Sequence, residues 1–237
     1  MSRSNAPLSL SVVKVTVPGS VQRTAEKILE FDGLNIGFNH DQTWRSMPLA
    51  LRGRLLPDAV AASLSNKHPR IVKCVKSLCS LGILHPRETR AFADYPDAGI
   101  RPLTEIQWGP DVVVRARASC WYINEKQQPV IPILQPRKER LTAEQLAVYL
   151  RFAKQAFCKD EWVDALVEII DLSGEDAADV TAVVVKEQDL PDASADLIAE
   201  YVKTYMAAVE FAQQHKKKRP PYKRDSGMDD IFDPTPP

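Results

Sequence analysis

Glycine is scarce in this chain, nine in 237 residues, and the motifs built on it are missing too. There is no G-x-x-x-x-G-K-[ST] loop, no G-x-G-x-x-G turn and no G-x-S-x-G elbow, which excludes the glycine-rich phosphate cradles and the hydrolase nucleophile elbow. H-E-x-x-H is also missing. The four cysteines, Cys74, Cys79, Cys120 and Cys158, form no C-x-x-C pair. On a helix, a spacing of five sets Cys74 and Cys79 about 140° apart, too far round to clasp one ion. His68 and His85 add no ligand spacing, so neither metal nor cofactor is expected. No apolar run approaches the roughly 18 residues of a membrane helix, and MSRSNAPLSLSVVKVTV lacks a signal-peptide core. These absences predict a cytoplasmic protein with reduced thiols and no membrane contact.

Net charge is missing as well, with 31 Lys and Arg against 31 Asp and Glu. General adhesion to nucleic acid is therefore disfavoured, but a local patch is not. The charges are segregated. Residues 45–100 hold nine Lys/Arg against four acids, and residues 139–200 hold five against fifteen. That asymmetry predicts two regions with different partners or two solvated faces. Apolar residues make up 44%, a globular composition.

Periodicity predicts a strand at 10–17, closed by Pro18-Gly19, and an amphipathic helix at 21–31. Residues 43–56 read as helix broken by Pro48 and Gly53. A short helix at 58–65 and a longer one from Pro69, stopped at Gly82, follow. VVVRARASCWYI and VIPIL read as a hairpin, with Pro132 placing the return strand at an edge. Thr142 and Gln145 fit a capping box opening a helix over 141–157. Strands at 165–173 and 180–188 and a final helix at 194–214 complete the order β-β-α-β-β-α. The expected fold class is α+β. It comprises an N-terminal strand and helix (1–42), a basic helix-turn-helix-like region (43–104), an acidic α+β domain on an antiparallel or mixed sheet (105–215), and a disordered charged tail (216–237).

Within the basic region, Leu56, Val60, Ala61, Leu64, Ile71, Val75, Leu78, Gly82, Ile83 and Leu84 mark a short helix, a turn, a longer helix and an exit. This pattern resembles a winged helix-turn-helix. The resemblance implies that the second helix enters the major groove of duplex DNA, N-terminal residues toward the bases. Lys67, His68, Arg70, Lys73 and Lys76 would then contact DNA, with Arg87 and Arg90 on the wing neutralising phosphates. The same segment also reads as a helical hairpin with a basic solvent face.

Pro110-Asp111 ahead of the hairpin and Gln135-Pro136-Arg137-Lys138 after it resemble the PD-(D/E)xK nuclease core. That core holds a divalent metal between an Asp and a Glu/Gln-x-Lys to activate water. Here two residues separate Gln135 from Lys138 where the family has one. Glu168, Asp171, Glu175, Asp176 and Asp179 form an acidic cluster that reads as a solvated loop or an oxygen-ligand site. Trp108, Trp121, Tyr122 and Trp162 suit core packing or base stacking. The tail joins KKKRPPYKR to DSGMDDIFDPTPP, whose acidic half resembles the protein-recruiting tips of single-strand DNA-binding proteins. The leading expectation is a non-enzymatic protein that binds duplex DNA through the helix pair. Its acidic domain or tail would serve self-association or a protein partner. A protein–protein adaptor and a degenerate or active nuclease are the alternatives.

Overall fold

The structure is a computed structural model, and it describes residues 6–33, 40–95, 100–107, 113–174 and 180–215. It is mixed α+β, with helices α1 (Ser9–Val15), α2 (Val21–Gly33), α3 (Asp41–Leu51), α4 (Pro57–Ser63), α5 (Pro69–Leu84), α6 (Ala143–Phe157) and α7 (Ala195–His215). The strands are β1 (Arg90–Ala91), β2 (Leu103–Gln107), β3 (Val113–Arg117), β4 (Cys120–Ile123), β5 (Pro129–Gln135), β6 (Leu166–Asp171) and β7 (Val183–Lys186). Among the described residues, no helix is long and apolar enough to cross a membrane.

The main sheet has the order β1-β4-β5-β6-β7, and β2-β3 form a separate antiparallel ribbon. β4 and β5 are an antiparallel hairpin, α6 crosses over, and β6 lies parallel to β5 with Gln135 opposite Asp171. β7 then runs antiparallel to β6. Buried side chains from Leu10 in α1 to Tyr205 in α7 form one continuous core.

Several elements differ from their sequence reading. Residues 9–15 are helical rather than extended. Leu8 bridges to Arg115 and the Arg115 N–H donates to the Pro7 carbonyl, so the chain enters beside β3. It then coils to bury Leu10, Val12, Val13 and Val15, and tertiary packing overrides the β-propensity of the valines. α3 continues through Pro48. The proline leaves the Trp44 carbonyl without its helical donor, and the Ser119 hydroxyl donates to it at 2.9 Å. VVVRARASCWYI is two strands, because Ala118 and Ser119 bond to Pro102 and Phe92 and hand the chain from the ribbon to the sheet. β5 is central, not an edge. Its ladder with β4 covers only Val130 and Pro129, so Pro132, which has no N–H to offer, lies beyond it.

The helices α3 and α5 touch backbone to backbone. A Cβ on Gly82 would sit 2.0 Å from the Ala50 carbonyl oxygen, and one on Gly53, whose φ is +71°, would sit 2.4 Å from the Gly82 carbonyl oxygen. Gly82 is thus a packing residue inside α5, which runs on to Leu84. It is not the stop predicted from sequence.

Candidate nucleic-acid interface

α5 begins in the manner its sequence dictates, with Pro69 in the first turn and the His68 side chain accepting the Arg70 N–H at 3.2 Å. Arg70 is buried, 7% exposed. Its guanidinium donates to the carbonyls of Pro136 (Nε 3.4 Å, Nη2 3.3 Å), Arg137 (2.9 Å), Leu172 (2.8 Å) and Gly174 (3.1 Å). These carbonyls belong to the segments that leave β5 and β6. The first turn of α5 is therefore pinned to the C-terminal end of the two parallel strands.

The sequence reading sets Arg70 among the residues that contact DNA. Arg70 spends its donors inside the protein. Arg87 also turns inward: its Nε lies 3.5 Å from the buried Glu168 carboxylate and its guanidinium lies 5.4 Å from the Tyr122 ring centroid. Burial raises the Glu168 pKa, against the lowering influence of Arg87, the Tyr122 hydrogen bond and Lys186. Burial, reinforced by Glu168, pushes the Tyr122 hydroxyl up to about 12. Arg90, expected on the wing, lies in β1 opposite Trp121, with its guanidinium 4.9 Å from that ring's centroid. Residues 96–99 lie outside the described residues. Lys76 pairs with Asp58 at 2.7 Å. Lys67 and His68 are exposed and Lys73 is half-buried.

The pinning brings a second group of cations to α5 that sequence reading placed elsewhere. Arg137, Lys138 and Arg140 follow β5 directly, and Lys138 and Arg140 are exposed. The Lys138 carbonyl accepts the Gly174 N–H at 2.9 Å, and the Gly174 carbonyl in turn accepts from Arg70. Glu139, between the cations, pairs with Lys14 of α1 at 2.9 Å. Arg137 donates to the Ser11 hydroxyl at 2.6 Å. His40, at the head of α3, faces the same cluster. Burial first, then Arg70, Arg137 and His68, lower its pKa to about 4. Burial is the main force that disfavours the imidazolium, and the neighbouring cations add to it. The only sequence signal for this convergence was the run Arg137-Lys138-Glu139-Arg140 at a strand end.

The nuclease motif is placed only in part. Pro110 and Asp111 lie outside the described residues, as do Trp108, Glu175, Asp176 and Asp179. Gln135 is fully buried. Its amide donates to the Glu139 carbonyl at 2.7 Å and accepts the Arg137 N–H at 3.0 Å. Asp171 accepts the Ser173 N–H at 2.8 Å. Among the described residues, no three of His, Cys, Asp and Glu group as a metal site. Cys74, Cys79 and Cys120 are buried thiols in no disulfide, and burial pushes Cys74 up to about 11. Trp121 and Trp162 pack edge to face at 5.0 Å.

No protein-family model matches this chain, and no curated protein matches it. A solved structure, the crystal structure of SSO0001, is similar at 14% identity over 83% of this chain and 85% of that one, with a TM-score of 0.32. At that score the likeness carries no argument.

Proposed function

We propose that the protein is a non-enzymatic, intracellular DNA-associated protein that binds the phosphate backbone of duplex DNA over a composite basic surface. Lys67, His68 and Lys73 of the α5 turn form one half of it. Lys138 and Arg140 of the segment after β5 form the other. The observation that carries the reading is the Arg70 guanidinium, which joins the two cation runs across 66 residues of sequence. Arg70 itself is a positioning residue here and makes no contact with phosphate. The acidic stretch 139–200 is left for self-association or a protein partner.

Fluorescence anisotropy of a labelled duplex across a salt series tests this. Each phosphate contact contributes about 0.9 to the log–log salt slope. A Lys67/Lys73/Lys138/Arg140→Ala variant is expected to flatten the slope by about 3.6 units. The absence of salt-dependent binding, or a variant with unchanged slope, would sink the reading and leave the adaptor alternative.

A second reading is favoured by one specific feature. The hairpin β4–β5 followed by α6 has the β-β-α order of the PD-(D/E)xK core, and Gln135-Pro136-Arg137 restores the one-residue spacing, with arginine in place of lysine. Gln135 is buried with both amide atoms engaged by Glu139 and Arg137 backbone groups, which suits a degenerate, non-cutting scaffold. Incubation of plasmid with the protein and Mg²⁺ separates the cases, because cleavage lost on Asp111→Ala would establish an active nuclease.

A further inference from the structure

The β2–β3 ribbon has one covered edge and one open edge. The Ala118 N–H donates to the Pro102 carbonyl at 3.0 Å, next to the Leu103–Arg117 pair. Alternate residues of an antiparallel ladder bond the partner strand. Pro102, Thr104 and Ile106 therefore face β3, and Leu103 and Glu105 turn their N–H and C=O groups away from it. The same alternation points Arg115 outward from β3. There its N–H donates to the Pro7 carbonyl at 2.8 Å, its Nε donates to the Ala6 carbonyl at 2.6 Å, and Leu8 bridges to it in parallel. The chain thus covers the β3 edge with its own extended segment, residues 6–8. Among the described residues, no hydrogen bond reaches the outward groups of Leu103 or Glu105. β2 reads LTEIQ, so it also lacks the lysine or proline that commonly blunts an open edge.

This open edge lies in a cleft of about 1200 Å³. Leu103 and Glu105 on one face of β2 and Thr104 on the other all line it, so the cleft follows the edge of the strand. The end of α6 and the turn after it, with Phe157 and Trp162, line it too. The space exceeds the ~300–1,000 Å³ of a small-molecule pocket. Its charges balance, Arg101, Arg115 and Lys159 against Glu105, Asp160 and Glu161, so main-chain pairing rather than charge selects the occupant. Outward groups two residues apart, about 7 Å along the strand, are met by an extended backbone, the mode in which a peptide adds a strand to a sheet edge. An edge set within a cleft admits a single extended segment. The same edge of a second copy, set within its own cleft, cannot be brought against it.

We propose that β2 takes up an extended peptide segment of a protein partner by strand addition, paired through the main chain of Leu103 and Glu105. The segment places an apolar side chain beside Leu103, which is 41% exposed. A random heptapeptide phage library panned on the full chain supplies the probe. In the free chain, the Leu103 and Glu105 amides are expected to exchange hydrogen fast. An enriched peptide is expected to protect both, and to bind Leu103→Pro about tenfold more weakly, because that exchange removes an outward donor. Proline is tolerated at the first residue of a strand, and an unchanged melting midpoint checks the fold. N-methylation of the peptide needs no variant of the protein. Methyl groups on two alternate residues should each weaken binding about tenfold, and one on the residue between them should leave it within about twofold. No enriched peptide, binding indifferent to methyl position, or a folded Leu103→Pro that binds as wild type would each overturn the proposal. So would amides already protected in the free chain, by its own residues in a monomer or by a second copy in a dimer. None of these outcomes depends on whether the protein binds DNA.

Discussion

Removing the Arg70 guanidinium would leave the carbonyls of Pro136, Arg137, Leu172 and Gly174 without the donor they share. The partners are neutral carbonyls, and an unsatisfied buried acceptor costs about 1–3 kcal/mol. With several acceptors left bare, Arg70→Met is expected to lower the unfolding free energy by about 4 kcal/mol in urea titration. Arg70→Lys should recover less than half of that, since an ammonium cannot span the fork. Lys73→Ala should stay within about 0.5 kcal/mol of wild type. Sequence could not separate these two cations. Both sit at the start of a basic helix, and only the strand ends that arrive from 66 and more residues away bury one of them. His40 gives a pH signature at the same scale. Its folded pKa is about 4, and an unfolded histidine titrates near 6.5. The stability it contributes is full above pH 6.5 and is lost as pH falls through 6.5 toward 4. Discounted for partial exposure, this is worth about 2 kcal/mol. Denaturation midpoints at pH 7 and 4.5 should diverge less in His40→Asn than in wild type.

At the scale of elements, the local signals that survived were those with short-range chemistry. The Thr142–Gln145 capping box is formed, with Gln145 N–H to Thr142 Oγ1 at 3.2 Å and Thr142 N–H to Gln145 Oε1 at 3.0 Å, and α6 starts where that box predicts. Signals that needed the neighbour to be known were misread. Pro48 looked like a break because Ser119, which takes up the freed carbonyl, lies 75 residues away in contact with Trp44. Gly82 looked like a stop because nothing local reveals the Ala50 carbonyl against it. Gly82→Ala tests this directly. Helix propensity alone favours alanine by about 1 kcal/mol. The clash with the Ala50 oxygen would force α3 and α5 apart, so a net destabilisation of about 3 kcal/mol is expected by thermal or urea denaturation. A stabilised variant would show that the two helices do not cross at this distance.

Across the whole molecule, the α+β class and the hairpin-helix-strand order from β4 to β6 were legible, because alternation and capping are written locally. The candidate interface was half legible. Lys67, His68 and Lys73 stand out as a basic turn, whereas the segment that carries Lys138 and Arg140 comes to the first turn of α5 only because Arg70 bonds to its backbone. That division makes a prediction about the halves. If the helix pair alone met DNA, Lys138→Ala/Arg140→Ala would leave the salt slope unchanged and Lys67→Ala/Lys73→Ala would account for all of the loss. If the surface is composite, each double variant should flatten the slope by about one to two units. The combined variant should then lose roughly the sum, as separate phosphate contacts do. Anisotropy on the same duplex at four salt concentrations reads all three variants against wild type. A null result for Lys138→Ala/Arg140→Ala would return the interface to α5 alone, with Arg70 left as a purely structural bolt.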